Sequence, residues 1–105
     1  MTTAAVDILE TIEFDEEGFM TDPKAWSEEI GLEIADVLGI ALTDRHRIVI
    51  NFAREYFFKN DDAPTLRTIT KQTDVSMKEM YALFPGGPAK IAAKVSGLGK
   101  PTGCI

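Results

Sequence analysis

The chain has 105 residues and a mass of 11.6 kDa, which fits one domain and excludes a multidomain enzyme. Hydrophobic residues make up 45% and charged residues 27%, as in ordinary globular proteins and unlike disordered chains. The formal net charge of −6 is unevenly spread, because residues 1–44 carry −11 and residues 45–105 carry +5. This asymmetry indicates either a polarised molecule that docks on a partner or a solvated acidic face.

The sequence contains neither a membrane-spanning run nor a recognisable export signal. No apolar stretch approaches the ~20 residues that a membrane span requires, and the first residues lack the basic and apolar regions of a signal peptide. We therefore expect a cytoplasmic protein with no membrane partner. Cys104 is the only cysteine and His46 the only histidine, so an internal disulfide is impossible and a structural zinc site is not expected. We predict no metal and no cofactor.

The N-terminal residues predict an arm followed by a small β-hairpin. Residues 1–10 have weak periodicity and are predicted to form a loose arm. Residues 11–14 and 18–20 each contain apolar side chains and flank an acidic turn, with Gly18 available for a positive φ. This pattern predicts two short antiparallel strands.

Two longer helices are predicted next. Asp22 as N-cap and Pro23 as the first helical residue predict a helix that continues to Gly39. Thr43 is the predicted N-cap of a second helix, which has the densest apolar stripe and is our candidate for the central core helix. The apolar stripes consist of Trp26, Ile30, Ile34, Val37 and Leu38 in the first helix, and of Ile48, Val49, Phe52, Ala53, Tyr56 and Phe57 in the second.

Three shorter helices are predicted after a break at residues 60–64. Thr65 caps the first, Ser76 and Glu79 form a capping box at the second, and Pro88 begins the third. The first two resemble the helix-turn-helix of tetracycline-repressor-like regulators, but the segment's net charge of +1 argues against direct nucleic-acid binding. The predicted fold class is mainly α: a small orthogonal helical bundle with a helix-turn-helix-like element, a short N-terminal β-hairpin and a flexible C-terminal arm.

The C-terminal arm, residues 97–105, contains three glycines and one proline and is predicted to be mobile. A fully extended run from Gly97 to Cys104 spans ~25 Å, enough to deliver the Cys104 sulfur into a partner's cleft. A free thiol has a pKa of about 8.5, so we expect a partner to activate Cys104. From the residues alone, a reactive thiol and an incidental tail cysteine are equally good interpretations.

Three motifs stand in order along residues 42–105 of the chain. They are Leu42-Thr43-Asp44-Arg45-His46, then Leu83-Phe84-Pro85-Gly86-Gly87-Pro88-Ala89-Lys90, then Gly97-Leu98-Gly99-Lys100-Pro101-Thr102-Gly103-Cys104-Ile105. In this order and spacing they resemble the DsrC/TusE family of sulfur-relay proteins. The resemblance implies a small helical fold and a single-domain chain whose flexible arm accepts a persulfide sulfur on Cys104 and passes it on. Lys100, Pro101 and Gly103 are then expected to shape the arm and its insertion into partners.

One departure from the family pattern narrows the expected function. Ala93 stands where members that serve dissimilatory sulfite reductase carry a second arm cysteine, so the chain looks more like the single-cysteine TusE type. The expected partners are a TusBCD/DsrEFH-like donor and a thiolase or sulfite-reductase-like acceptor, in tRNA thiolation or sulfur oxidation. The chain would act as a sulfurtransferase only together with these partner proteins. Two alternatives are a helix-turn-helix DNA-binding regulator and a non-catalytic, gamma-type subunit associated with dissimilatory sulfite reductase.

Overall fold

The computed structural model describes residues 9–101 of the chain, and it is mainly helical, as predicted. No helix in this part of the chain is long and apolar enough to cross a membrane. Within residues 9–101, a short 3-10 helix (Pro23–Ala25) is followed by five α-helices. These are α1 (Glu28–Val37), α2 (Asp44–Asn60), α3 (Leu66–Gln72), α4 (Met77–Leu83) and α5 (Pro88–Val95).

The predicted helix starts at Thr43, Thr65, Ser76 and Pro88 are confirmed. Each of the three hydroxyl side chains accepts a hydrogen bond from the backbone N–H three residues further on, at the N-termini of α2, α3 and α4. Pro88 occupies the first turn of α5, where its missing N–H leaves no hydrogen bond unmade. Each of these capping residues acts on the first turn of its own helix, so the helix start can be recognised from the local sequence.

The predicted β-hairpin was wrong, since residues 9–101 contain no strand. The segment folds back through one isolated antiparallel bridge between Phe14 and Met20. The Asp15 carboxylate accepts hydrogen bonds from the backbone N–H groups of Glu17 and Phe19, both at 2.9 Å, and so stabilises a turn instead of a strand pair. Phe19 and Met20 are consecutive and both buried, whereas neighbouring strand residues point to opposite faces.

The single helix predicted from Pro23 to Gly39 is two helices. Asp22 caps only the 3-10 helix, and Trp26 has extended backbone with ψ 146°. Ser27 then caps α1 by accepting a hydrogen bond from the N–H of Ile30. The interruption turns the Trp26 indole toward the end of α5, where its N–H donates to a backbone carbonyl. Val37, a member of the predicted apolar stripe, lies in the last turn of α1 and is 72% exposed.

The short helix α5 lies at the centre of the bundle and packs against α1, α2 and α4. Its buried Ala89, Ala92 and Ala93 leave room for close approach of the neighbouring helices. The helix α2, predicted to be central, packs against α3 and α5 and buries Val49 and Ile50, while Ile48 of its predicted stripe is 38% exposed.

The helices α3 and α4 form the predicted helix-turn-helix-like element. They pack against each other, and Val75 in the turn between them is fully buried in the core. At the other end of the chain, residues 1–8 of the predicted N-terminal arm lie outside the described residues. Leu9 and Glu10 have helical backbone, and Leu9 packs against the core cluster that contains Met20.

Candidate functional site

The chain leaves α5 through a tight turn at Gly97. The N–H of Gly97 donates to the carbonyl of Lys94 (3.2 Å), and the N–H of Leu98 donates to the carbonyl of Ala93 (2.9 Å). This is the Schellman arrangement, which needs a left-handed residue at its centre, and Gly97 supplies it with φ +73°. The turn directs the fully buried Leu98 side chain into a cluster with Phe19 and Ala93.

The Trp26 indole covers this turn and requires glycine at position 97. Its Nε1–H donates to the carbonyl of Val95 (2.9 Å), one of the last carbonyls of α5. A Cβ atom on Gly97 would lie 2.3 Å from Trp26 Cδ1, which is far inside van der Waals contact. Backbone conformation and steric fit therefore both select glycine here.

The half-buried Arg54 of α2 also binds the end of α5, beside Trp26. Its Nη1 donates to the carbonyl of Ser96 (2.9 Å), and its Nη2 donates to the carbonyl of Pro23 (3.0 Å). The guanidinium lies over the Trp26 ring at 4.4 Å from the centroid and 5.2 Å from that of Phe58. Burial lowers the pKa of Arg54, but a guanidinium stays charged in proteins.

Two of the predicted site residues, Lys100 and Pro101, lie at the end of the described chain. Lys100 Nζ is 3.3 Å from Glu17 Oε1 in a largely exposed ion pair, which contributes little to stability. Pro101 is buried and lines an open groove of about 380 Å³. Its other lining residues are Leu66, Tyr81, Gly86, Gly87, Pro88, Ala89 and Lys90.

The predicted carrier residue Cys104 and the predicted arm residue Gly103 lie outside the described residues. The first part of the predicted arm packs against the bundle, since Leu98 is fully buried and Pro101 is buried. Ala93, the departure from the family pattern that the sequence indicated, is buried in α5. Arg54 and Trp26 were missed as functional candidates, because their hydrogen bonds to the end of α5 span 42 and 69 residues of sequence.

His46, the only histidine of the sequence, has a structural role. Its Nδ1 accepts a hydrogen bond from the backbone N–H of Thr43 (3.0 Å), so the ring proton is on Nε2, which donates to the carbonyl of Leu83 (2.8 Å). The imidazole is 5% exposed and contacts Phe84 edge to face. Both ring nitrogens are engaged, so His46 is no candidate for a base.

Comparison with known proteins places this geometry in a family. A family model described as "DsrC like protein" matches residues 9–105. The gamma subunit of dissimilatory-type sulfite reductase from Nitratidesulfovibrio vulgaris is 40% identical over 96 residues, which cover 90% of this chain and 91% of that protein. Sulfurtransferase TusE from Buchnera aphidicola is 38% identical over 105 residues, covering 93% and 92% of the two chains.

A solved structure agrees with the sequence comparison. The crystal structure of the oxidized gamma-subunit of the dissimilatory sulfite reductase (DsrC) from Archaeoglobus fulgidus superposes with a TM-score of 0.79. It is 37% identical, and the match covers 90% of this chain and 92% of that one. The fold and the candidate site therefore define a class of small helical proteins in which a C-terminal segment follows the last helix. The chain belongs to the DsrC-like family.

Proposed function

We propose that the chain is a sulfur carrier that holds sulfane sulfur as a persulfide on Cys104. The observation that carries the proposal is that the family match extends to residue 105 and so includes the only cysteine of the sequence. Relatives named TusE are sulfurtransferases, which fits a carrier. The regulator alternative is not favoured, since the relatives are sulfur-relay proteins and the turn of the helix-turn-helix is part of the core.

The chemistry needs no oxidant and no cofactor. The Cys104 thiolate attacks the outer sulfur of a donor persulfide, the donor's S–S bond breaks, and the donor leaves as a thiolate. Cys104 then carries the S–SH group and yields its outer sulfur to an acceptor thiolate by the same exchange. The rate depends on the thiolate fraction of Cys104 and on access, so we expect the partner's pocket to supply activation.

The groove beside Pro101 is the proposed contact surface for a partner. Cys104 is the third residue after Pro101, so their Cα atoms are at most ~11 Å apart. A partner that receives the thiol must therefore approach the rim of the groove, which carries the exposed Tyr81 and Lys90. Residues 64–101 contain six basic and two acidic side chains, which fits a partner with an acidic surface, such as a TusBCD/DsrEFH-like donor.

The test is intact-mass analysis of the native chain and of Cys104→Ser after incubation with a small-molecule persulfide donor. We expect the native chain alone to gain one sulfur atom, about 32 Da, and to lose it with dithiothreitol. Sulfinic acid adds nearly the same mass but resists thiols, so the reduction step separates the two products. An equal, thiol-sensitive gain on the serine variant would remove Cys104 from the mechanism.

A second candidate function follows from the relative named as a sulfite reductase gamma subunit. In that case the chain forms a stable complex with a sulfite-reductase-like partner. We expect such a complex to survive Cys104→Ser, whereas sulfur loading does not. Co-purification of both variants with a candidate partner, together with the mass measurement, distinguishes a structural subunit from a carrier.

A further inference from the structure

We propose that the surface of α2 around Arg54 and Phe58 is a second docking surface, which binds a protein partner through one carboxylate and an adjacent apolar side chain. We call it the Arg54 patch, and it consists of Trp26, Arg54 and Phe58. It lies at the C-terminal end of α5, because Arg54 binds the carbonyl of Ser96, whereas the groove beside Pro101 is lined by the first residues of that helix. The proposal goes beyond the carrier function and does not depend on it.

The first argument is that Arg54 is a half-buried cation with no carboxylate partner in residues 9–101. Arg45 and Arg47, the other two arginines of α2, each form an ion pair with a carboxylate at an N–O distance of 2.7 Å. The guanidinium of Arg54 contacts only backbone carbonyls and aromatic rings in the same range. A charge that loses hydration without gaining a counter-ion carries a free-energy penalty, and a carboxylate from a partner reduces it.

The second argument is that the Arg54 guanidinium keeps donors for such a carboxylate. One N–H of Nη1 binds the carbonyl of Ser96, and one N–H of Nη2 binds the carbonyl of Pro23. The Nε–H and the second N–H of each Nη have no hydrogen-bond partner in the part of the chain that the structure describes. A guanidinium binds a carboxylate through such N–H groups in a planar fork. The two existing hydrogen bonds hold the fork in place, so little side-chain entropy is lost on binding.

The third argument is the exposed apolar surface directly beside this cation. The Phe58 ring centroid is 5.2 Å from the guanidinium carbon of Arg54, and Phe58 is 52% exposed. The half-buried Trp26 ring lies at 4.4 Å from the same carbon. Arginine and aromatic side chains are enriched at the centres of protein interfaces, where they contribute much of the binding energy. An apolar side chain of a partner that covers Phe58 therefore stabilises the complex.

The charge of the surrounding sequence favours a single carboxylate over a polyanion. Residues 9–62, which contain the whole Arg54 patch, carry fourteen acidic and five basic side chains. A nucleic acid backbone needs several cations, and so acidic a range repels it. One carboxylate on an otherwise neutral or basic protein surface needs only Arg54. The Arg54 patch therefore fits a different partner from the groove beside Pro101, whose basic range fits an acidic surface.

The test is a proton–nitrogen NMR titration of the native chain with the capped tripeptide Leu-Glu-Leu at about pH 6, where its carboxyl group, of pKa about 4.3, is ionised. The Nε–H signal of Arg54, identified by its absence in Arg54→Gln, should shift and saturate. The Nε1–H signal of Trp26, the only tryptophan, should shift with it. Capped Leu-Gln-Leu has the same shape without the charge and should bind roughly tenfold more weakly. Equal binding of the two peptides, or an unmoved Arg54 signal, would overturn the proposal.

Two further variants separate the Arg54 patch from a general charge effect. Phe58→Ala changes a half-exposed side chain, so it should fold even if Arg54→Gln does not, and we expect it to bind Leu-Glu-Leu several-fold more weakly. Arg47→Gln removes an α2 arginine that is already paired with Glu28 and should keep the native affinity. Native affinity in Phe58→Ala, or an equal loss in Arg47→Gln, would contradict the assignment to the patch.

Other occupants of the Arg54 patch give distinct results. A single-stranded RNA oligonucleotide that shifts the Arg54 and Trp26 signals at lower concentration than the peptide would overturn the assignment to a protein partner. A dependence of these signals on protein concentration without peptide would show that a second copy of the chain covers the patch, which also overturns it. Sulfur loading of Cys104 is measured separately by mass, so failure of the proposed function leaves the titration result unchanged.

Discussion

Two glycines allow backbone strain and steric fit to be separated at single residues. Gly39 and Gly97 both have left-handed backbone at the end of a helix, with φ +78° and +73°. A Cβ atom on Gly39 would meet nothing within 4 Å, whereas one on Gly97 would lie 2.3 Å from Trp26 Cδ1. Alanine at position 39 should therefore cost only the backbone term, about 1 kcal/mol.

We expect Gly97→Ala to destabilise the protein by about 2 kcal/mol more than Gly39→Ala, because the indole has to move. Urea unfolding of both variants measures the difference in the free energy of unfolding. Equal decreases in the free energy of unfolding would mean that the indole moves aside without a free-energy cost. The tight contact between Trp26 and the Gly97 turn would then not contribute to stability.

Only part of the candidate site could be predicted from the sequence. Cys104, Lys100 and Pro101 belong to one contiguous motif and were therefore visible. Trp26 was interpreted as a core residue of a continuous helix and Arg54 was not singled out. Their importance comes from hydrogen bonds to backbone carbonyls near Gly97, and a carbonyl carries no sequence signal. The folding of distant segments onto one another creates these contacts.

An ion-pair network joins the helix α2 to α4 and to the turn before it. The Arg45 guanidinium donates from Nε and Nη2 to the two carboxylate oxygens of Glu79 at 2.7 and 2.8 Å, and from Nη1 to Asp74 at 3.2 Å. The hydrogen bonds from Arg45 lower the pKa of Glu79, and those to Glu79 and then Asp74 raise the pKa of Arg45. The pair therefore favours the ionised carboxylate in the folded state.

Linkage between protonation and folding gives this network a pH dependence. A carboxyl group with a lowered folded-state pKa stabilises the protein above its unfolded pKa of about 4.3, and the contribution is lost as pH falls through the folded value. We expect Glu79→Gln to lower the melting temperature at pH 7 and to have little effect at about pH 2. Glu55→Gln, at an exposed position of α2, controls for the lost charge. A difference from native that persists undiminished in acid would contradict the ion-pair explanation.

The helices differ in how well local sequence predicts them. The predicted starts of α2, α3 and α4 were correct because a capping hydroxyl and the backbone N–H that donates to it are three residues apart. The first predicted helix failed because two good caps, Asp22 and Ser27, compete within six residues, and the contact of Trp26 with α5 selects the interruption. The hairpin failed because the Asp15 side chain satisfies turn N–H groups that a strand pair would have used.

The charge asymmetry divides the sequence into an acidic range and a basic range. Residues 9–62 contain fourteen acidic and five basic side chains, whereas residues 64–101 contain two acidic and six basic ones. The second range holds α3, α4 and α5 and every residue that lines the groove, including Lys90. A basic surface attracts an acidic partner over long range. This attraction accelerates association, and salt screens it.

We expect the position of a charge to matter more than the net charge of the chain. Lys90→Glu reverses a charge on the groove, and Lys24→Glu makes the same change in the 3-10 helix of the acidic part, so both take the formal charge from −6 to −8. Sulfur transfer from a loaded TusBCD/DsrEFH-like donor should slow several-fold for Lys90→Glu at low ionic strength. The loss should shrink near 1 M salt, where the Debye length is only about 3 Å.

The control decides between steering of the groove and a general charge effect. Rim charges change association rates more than dissociation rates, so the slowing should appear in the second-order rate of transfer and not in the maximal rate. Lys24→Glu should leave both rates near the native values. An equal slowing by the two variants would show that the partner responds to net charge alone. That result would contradict the proposal that the groove beside Pro101 is the docking surface.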